Sequence, residues 1–61
     1  MSKKNVMDRI ELYLVDNELW IDSLVLEDIT EEYINCYKEL NMDNIKECCL
    51  NFLSCGLIYS V

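Results

Sequence analysis

The side chains in this sequence with the greatest chemical capacity are carboxylates and thiols. Twelve Asp and Glu residues and four Cys residues stand among 61 positions, and there is no His. The densest group of carboxylates is Glu27, Asp28, Glu31 and Glu32. General acid–base catalysis needs one carboxylate desolvated beside a second that stays charged, and a calcium loop needs alternating oxygen ligands with a Gly at its turn. The sequence indicates neither arrangement, so we interpret this group as a solvated helical turn.

The thiols do not have the spacing of a metal site. The four cysteines are Cys36, Cys48, Cys49 and Cys55. Their separations are 12, 1 and 6 positions, whereas structural zinc sites pair ligands with about two to four residues between them and often use His. A nucleophilic cysteine would also need a base. We therefore predict no metal, no cofactor and no enzymatic activity. No apolar leader follows the basic N-terminal residues, so we expect a cytoplasmic protein whose reduced thiols pack as small hydrophobes.

One tripeptide has a counterpart in a known family. Asp22-Ser23-Leu24 resembles the Asp-Ser-Leu at which acyl carrier proteins, which are also small, acidic and helical, accept phosphopantetheine. The resemblance would make Ser23 the modified residue. It covers three residues, Ile21 stands where a Gly usually precedes the Asp, and the chain is shorter than such carriers need. We therefore favour Ser23 as an exposed polar residue or a local cap.

The distribution of charge carries the main indication of function. The net charge is −7, and positions 10–37 contain eight acidic residues and no Lys or Arg. Direct binding to nucleic acid or to an anionic membrane is not expected, because both favour Lys and Arg. A protein with a basic surface is the natural complement. The alternative is an acidic surface that serves solubility alone.

The predicted contact residues combine carboxylates with one aromatic anchor. We expect Trp20 and Tyr37 in the core and Tyr59 exposed, because a small chain needs most of its aromatic side chains inside. The predicted partner-binding residues are Glu18, Asp22, Glu27, Asp28, Glu31, Glu32 and Tyr59.

Two adjacent helices are predicted for the second half of the chain. Thr30 is expected to cap a helix over 30–40, with acidic residues in its first turn. Asn41 is expected to cap a helix over 41–55, and Gly56 stands where a glycine would end it. The short connection predicts an antiparallel αα-hairpin. The apolar residues of the second helix have helical spacing: Ile45, Cys48, Cys49, Phe52 and Leu53.

The first half of the chain allows two interpretations. Its apolar spacing predicts a helix through Val6, Ile10 and Leu14, capped by Ser2 or Asn5, and then a shorter helix over about 19–25. In the alternative, residues 10–15 and 19–26 are strands of a hairpin that turns between them. The predicted fold class is therefore all-α with three to four short helices, and the alternative is α+β with an N-terminal β-hairpin.

The chain has more apolar residues than a molecule of this size can hide. Hydrophobic residues make up 52% of 61 positions, and small domains bury a smaller fraction of their surface than large ones. We therefore predict a single helical domain over 1–61 that forms a homodimer through Phe52, Leu53, Leu57 and Ile58. The tail 57–61 is also β-prone, and it is expected either to pack back on the helices or to add a strand to a partner.

These observations favour a protein that acts by binding. We interpret the chain as a non-enzymatic inhibitor or modulator that occludes a basic, nucleic-acid-binding surface of a partner protein. Its composition is typical of AT-rich genomes, and small acidic proteins of this kind are common in bacteriophages and mobile elements. The alternative is a structural or assembly subunit that docks through its apolar C-terminal segment.

Overall fold

The computed structural model describes residues 1–60 and contains three helices and a two-stranded antiparallel sheet. In chain order the elements are α1 (Lys3–Asp16), β1 (Leu19–Ile21), α2 (Ser23–Cys36), α3 (Met42–Ser54) and β2 (Ile58–Ser60). The chain is mostly helical, as predicted, but the all-α class is incomplete because it lacks the sheet. The α+β alternative is closer, although its N-terminal hairpin is wrong: residues 10–16 are helical, and β1 pairs with β2.

The first helix forms because its apolar residues lie on one stripe. Val6, Ile10 and Leu14 are four residues apart and all three are buried. The Ser2 hydroxyl accepts a hydrogen bond from the Asn5 backbone N–H at 3.1 Å. This bond satisfies one of the donors that the first turn of a helix leaves unpaired. Of the two caps predicted for α1, Ser2 is therefore the one that is used.

The second helix begins at Ser23, well before the predicted cap. Its buried stripe consists of Leu26, Ile29, Thr30 and Tyr33. Thr30 lies inside the helix, where its hydroxyl donates to the Leu26 carbonyl at 2.7 Å. A threonine can satisfy its hydroxyl in this way without ending a helix. The prediction that Thr30 begins a helix is therefore wrong.

A buried tyrosine organises the connection between α2 and α3. The helix ends at Cys36, so the prediction that it continues to position 40 is also wrong. The Tyr33 hydroxyl donates to the Glu39 carbonyl at 2.6 Å and accepts the Asn41 backbone N–H at 3.4 Å. The Asn41 side chain accepts the Asn44 N–H at 2.9 Å, which confirms Asn41 as the cap of α3. One core side chain thus holds the non-helical connection.

The third helix ends in a Schellman motif. The Gly56 N–H donates to the Leu53 carbonyl and the Leu57 N–H donates to the Phe52 carbonyl, both at 3.1 Å. Gly56 has a φ of 76°, in the left-handed region that favours glycine. The predicted C-terminal glycine is therefore confirmed, and the reversal directs the chain towards β2.

The sheet joins the segment between α1 and α2 to the last described residues of the chain. Ile58 is only 2% exposed and belongs to the core, while Leu19 and Ile21 are half-buried against it. The helix predicted over about 19–25 is therefore wrong at residues 19–21, which form β1, whereas residues 23–25 are helical as part of α2. The tail packs back on the chain itself. Val61, the last residue of that predicted tail, lies outside the described residues. The paired residues are Leu19 with Ser60, Trp20 with Tyr59 and Ile21 with Ile58.

All five elements contribute to one core. Among residues 1–60, every buried side-chain nitrogen or oxygen atom has a hydrogen-bond partner. This matters in a small interior, because an unpaired polar group there would cost about 1–3 kcal/mol. The buried apolar side chains are Val6, Ile10, Leu14, Leu26, Ile29, Tyr33, Ile45, Cys48, Cys49 and Ile58.

Replacing Gly56 with Ala should lower the free energy of unfolding by about 1 kcal/mol, because a side chain at this φ is strained. Nothing lies within 4 Å of the position that a Cβ would take, so a clash does not contribute. Gly56→Asn should cost less, since Asn tolerates the left-handed conformation better. Urea denaturation followed by circular dichroism measures both variants. Equal losses would show that backbone conformation is not the cause.

Candidate partner-binding surface

The outer face of α2 carries four of the predicted contact carboxylates, and Lys3 reaches two of them. Its Nζ lies 3.3 Å from Oε1 of Glu27 and 3.6 Å from Oε1 of Glu31. The hydrogen bond to Glu27, together with the two negative charges, raises the pKa of Lys3. Lys3 therefore offsets one of the two negative charges that Glu27 and Glu31 carry. Lys3 and Glu27 are 24 residues apart in the sequence. Helical spacing predicts ion pairs only between residues three or four apart, so the sequence did not predict this contact.

The other four predicted carboxylates have no cation beside them. They are Glu18, Asp22, Asp28 and Glu32, and all are exposed. In the described part of the chain, ion pairs within 4 Å are made by Lys3 alone. Glu32 accepts a hydrogen bond from the Cys36 thiol at 3.2 Å, and this bond raises the pKa of that thiol. Asp22 precedes the first residue of α2, yet its side chain makes no capping hydrogen bond.

An aromatic pair lies on the solvent side of the sheet. Trp20 and Tyr59 are directly opposite each other, with ring centroids 5.7 Å apart and planes inclined by 31°. They are 54% and 50% exposed, respectively. Tyr59 is thus exposed as expected, whereas the prediction that Trp20 lies in the core is wrong. Tyr37, also expected inside, is half-buried and stacks on Tyr33 at 4.8 Å.

Carboxylates flank this aromatic pair along β1. Glu18 stands two residues before Trp20 and Asp22 two residues after it. Glu18 has a φ of 55°, a left-handed conformation that is unfavourable for a residue with a Cβ. Such strain is often found where a site requires it. The sequence signal for this cluster was the apolar residue on each side of Trp20, which is the alternation expected of a strand. The prediction of a helix over 19–25 did not use this signal.

The four residues predicted to form a dimer interface differ in accessibility. Ile58 is buried in the core of its own chain, and Phe52 and Leu53 are half-buried against that core. Leu57 is exposed. A second copy that packed against this segment would therefore reach Leu57 first, and it would reach Ile58 only if the sheet opened.

Sequence reasoning missed an apolar strip on the outer face of α1. Leu12 and Val15 are 55% and 68% exposed. With Asp8 and Glu11 they line a shallow depression of about 370 Å³. Neither residue lies at the four-residue spacing of Val6, Ile10 and Leu14. That mismatch was the signal in the sequence that both side chains would be exposed.

The two buried thiols are kept in their protonated form. Cys48 and Cys49 are buried, and burial raises the pKa of the first to about 11 and of the second to about 12. They are therefore protonated at neutral pH, whereas the thiolate is the nucleophile. Within residues 1–60 no three Cys, Asp or Glu side chains are grouped as metal ligands. Ser23 is the exposed first residue of α2.

Comparison of the chain with protein-family models, with curated proteins and with solved structures finds no match. None of the helices in residues 1–60 is both long enough and apolar enough to cross a membrane.

Glu18→Gly should raise the free energy of unfolding by about 0.5–1 kcal/mol, because relief of the left-handed strain exceeds the added entropy of the unfolded chain. Glu18→Gln removes the charge and keeps the strain, so it should leave stability nearly unchanged. Urea denaturation of the two variants distinguishes these effects. A gain in stability with Gln equal to that with Gly would mean that charge repulsion, not backbone strain, is relieved.

Stability should fall as the pH rises above about 9. An unfolded thiol loses its proton near its ordinary pKa of 9.0, whereas Cys48 and Cys49 keep theirs to about 11 and about 12. The folded state thus binds more protons above pH 9, and the loss is up to about 1.4 kcal/mol per pH unit for each thiol. Urea denaturation at pH 8 and pH 10 with a reductant measures it. Cys49→Ala should lose less than the natural chain over this interval, and an equal loss would contradict the assignment.

Proposed function

We propose that this chain is a non-enzymatic protein that binds a basic surface of a partner protein and occludes it, and that the partner is a nucleic-acid-binding protein. The observation that carries the proposal is the set of exposed carboxylates without a cation, Glu18, Asp22, Asp28 and Glu32. These four belong to positions 10–37, which contain eight acidic residues and no Lys or Arg. An excess of like charge on a folded surface lowers stability through repulsion. A complementary basic surface would remove that repulsion and would accelerate association.

The backbone beneath these carboxylates favours binding. Asp28 and Glu32 lie on a helix whose other side is buried in the core, and Asp22 stands between that helix and β1. The backbone of these three residues is therefore in place before a partner arrives, which reduces the entropy lost on binding. The chain's remaining cations lie on α1, in the α2–α3 connection and on α3: Lys4, Arg9, Lys38 and Lys46.

Binding accounts for the site better than catalysis does. All twelve carboxylates are exposed, whereas acid–base catalysis needs one that is withdrawn from water. The chain has no His, and the buried thiols are held protonated. These features support a protein that acts by covering its partner.

An assembly subunit that docks through its C-terminal segment is the second candidate. It is favoured by the exposure of Leu57 and Tyr59. It is weakened by Ile58, which is engaged in the core of its own chain. The two candidates differ in their response to salt, because screening weakens contacts between exposed charges and leaves apolar contacts intact.

A pulldown from lysate of the protein's native cells, washed at increasing salt, tests the proposal. The variant Asp22→Asn/Asp28→Asn/Glu32→Gln should lose about tenfold in affinity for the captured basic protein, taking about 0.5 kcal/mol per charge. All three side chains are exposed and Asp22 makes no capping hydrogen bond, so the fold should persist.

The matched control is Asp8→Asn/Glu11→Gln/Glu39→Gln, which removes the same number of charges from α1 and the α2–α3 connection. It should bind like the natural chain. If both triple variants bind equally well, the proposed surface is wrong. If the partner survives a high-salt wash and is released only by Leu57→Ser, the assembly candidate is the correct one.

A further inference from the structure

We infer that the pair Trp20–Tyr59, together with Asp22 and Glu18, is a binding site for an arginine side chain of the partner protein. This inference rests on the proposed function, because it specifies which residue of a basic partner the surface recognises. It adds a defined chemical class of ligand, a guanidinium group, and a location on the sheet instead of on α2.

The aromatic part of the site is fixed by the sheet. Trp20 and Tyr59 are a directly opposed pair, and the neighbouring pair, Ile21 with Ile58, is anchored in the core through Ile58. Their ring centroids are 5.7 Å apart, and about half of each side chain remains exposed. Two large aromatic residues held in this way present a rigid, half-exposed surface on which a planar group can stack.

The carboxylate part of the site follows from strand geometry. Asp22 has an extended backbone, with φ −66° and ψ 146°, and stands two residues after Trp20. Because side chains alternate along an extended backbone, Asp22 is on the same side of the chain as Trp20. Its carboxylate makes no capping bond and has no cation within 4 Å in the described residues, so it is available to a ligand. Glu18 supplies a second exposed charge at the other end of β1.

A guanidinium group satisfies both parts at once. It is planar, it stacks on aromatic rings, and its fork of N–H donors matches a carboxylate. A lysine ammonium is a compact, strongly hydrated charge that cannot stack in this way. A purely apolar occupant would leave the Asp22 carboxylate against an uncharged surface, which costs desolvation without a partner. Charge complementarity therefore selects an arginine of a partner protein as the occupant.

Trp20 is the only tryptophan of the chain, so its fluorescence reports directly on this site. Three pentapeptides that differ only in a central arginine, lysine or citrulline serve as probes, since citrulline keeps the shape and lacks the charge. The arginine peptide should bind about threefold to tenfold more tightly than the lysine peptide. The citrulline peptide should produce no saturable change. Asp22→Asn and Glu18→Gln should each weaken arginine binding, while the control Glu39→Gln, an exposed carboxylate of the α2–α3 connection outside the proposed surface, should not.

Several results would overturn the inference. Equal affinity for the arginine and lysine peptides would show a general basic surface, with the proposed function intact. No fluorescence response to any peptide, together with a pulldown that still depends on α2 carboxylates, would place the contact elsewhere. Arg9 is the chain's only arginine. Self-association in sedimentation that Arg9→Lys abolishes would mean that a second copy fills the site.

Discussion

The pairing of β1 with β2 connects the segment between α1 and α2 to the end of the described chain, and the closed shape of the core depends on it. A two-stranded ribbon is marginal when isolated in water. Here it persists because its inner side is apolar and packs on the helices, with Ile58 buried and Leu19 half-buried. The same alternation that turns these residues inward turns Trp20 and Tyr59 outward. The sheet thus closes the core and exposes the aromatic pair through a single geometric rule.

A chain of this size has little interior, and its core uses residues that carry polar atoms. Tyr33 is fully buried, yet its hydroxyl is bonded to the backbone of the α2–α3 connection. Thr30 satisfies its hydroxyl within its own helix. Cys48 and Cys49 fill space as small hydrophobes. These choices let a short sequence fill its interior without leaving buried polar groups unpaired.

A single lysine neutralises part of the acidic surface. Lys3 lies against Glu27 and Glu31, so the middle of the outer face of α2 carries less net charge than the sequence suggests. The carboxylates without a cation therefore include those that flank β1, close in the chain to the exposed aromatic pair. Trp and Tyr are typical of the residues that dominate binding energy at protein interfaces. This coincidence of charge and exposed rings supports the proposed binding function.

The sequence by itself determined the features that depend on neighbouring residues. The apolar stripe of α1, the Asn41 cap and the glycine that ends α3 were all predicted, because spacing and capping act within a few positions of the chain. The tertiary structure decided the rest. The start of α2 was misplaced because Thr30 bonds inside a helix, and β1 was missed because its partner strand begins 37 residues after it ends. The contact between Lys3 and Glu27 and the exposure of Trp20 likewise depend on how distant segments pack, and a local pattern holds no information about that packing.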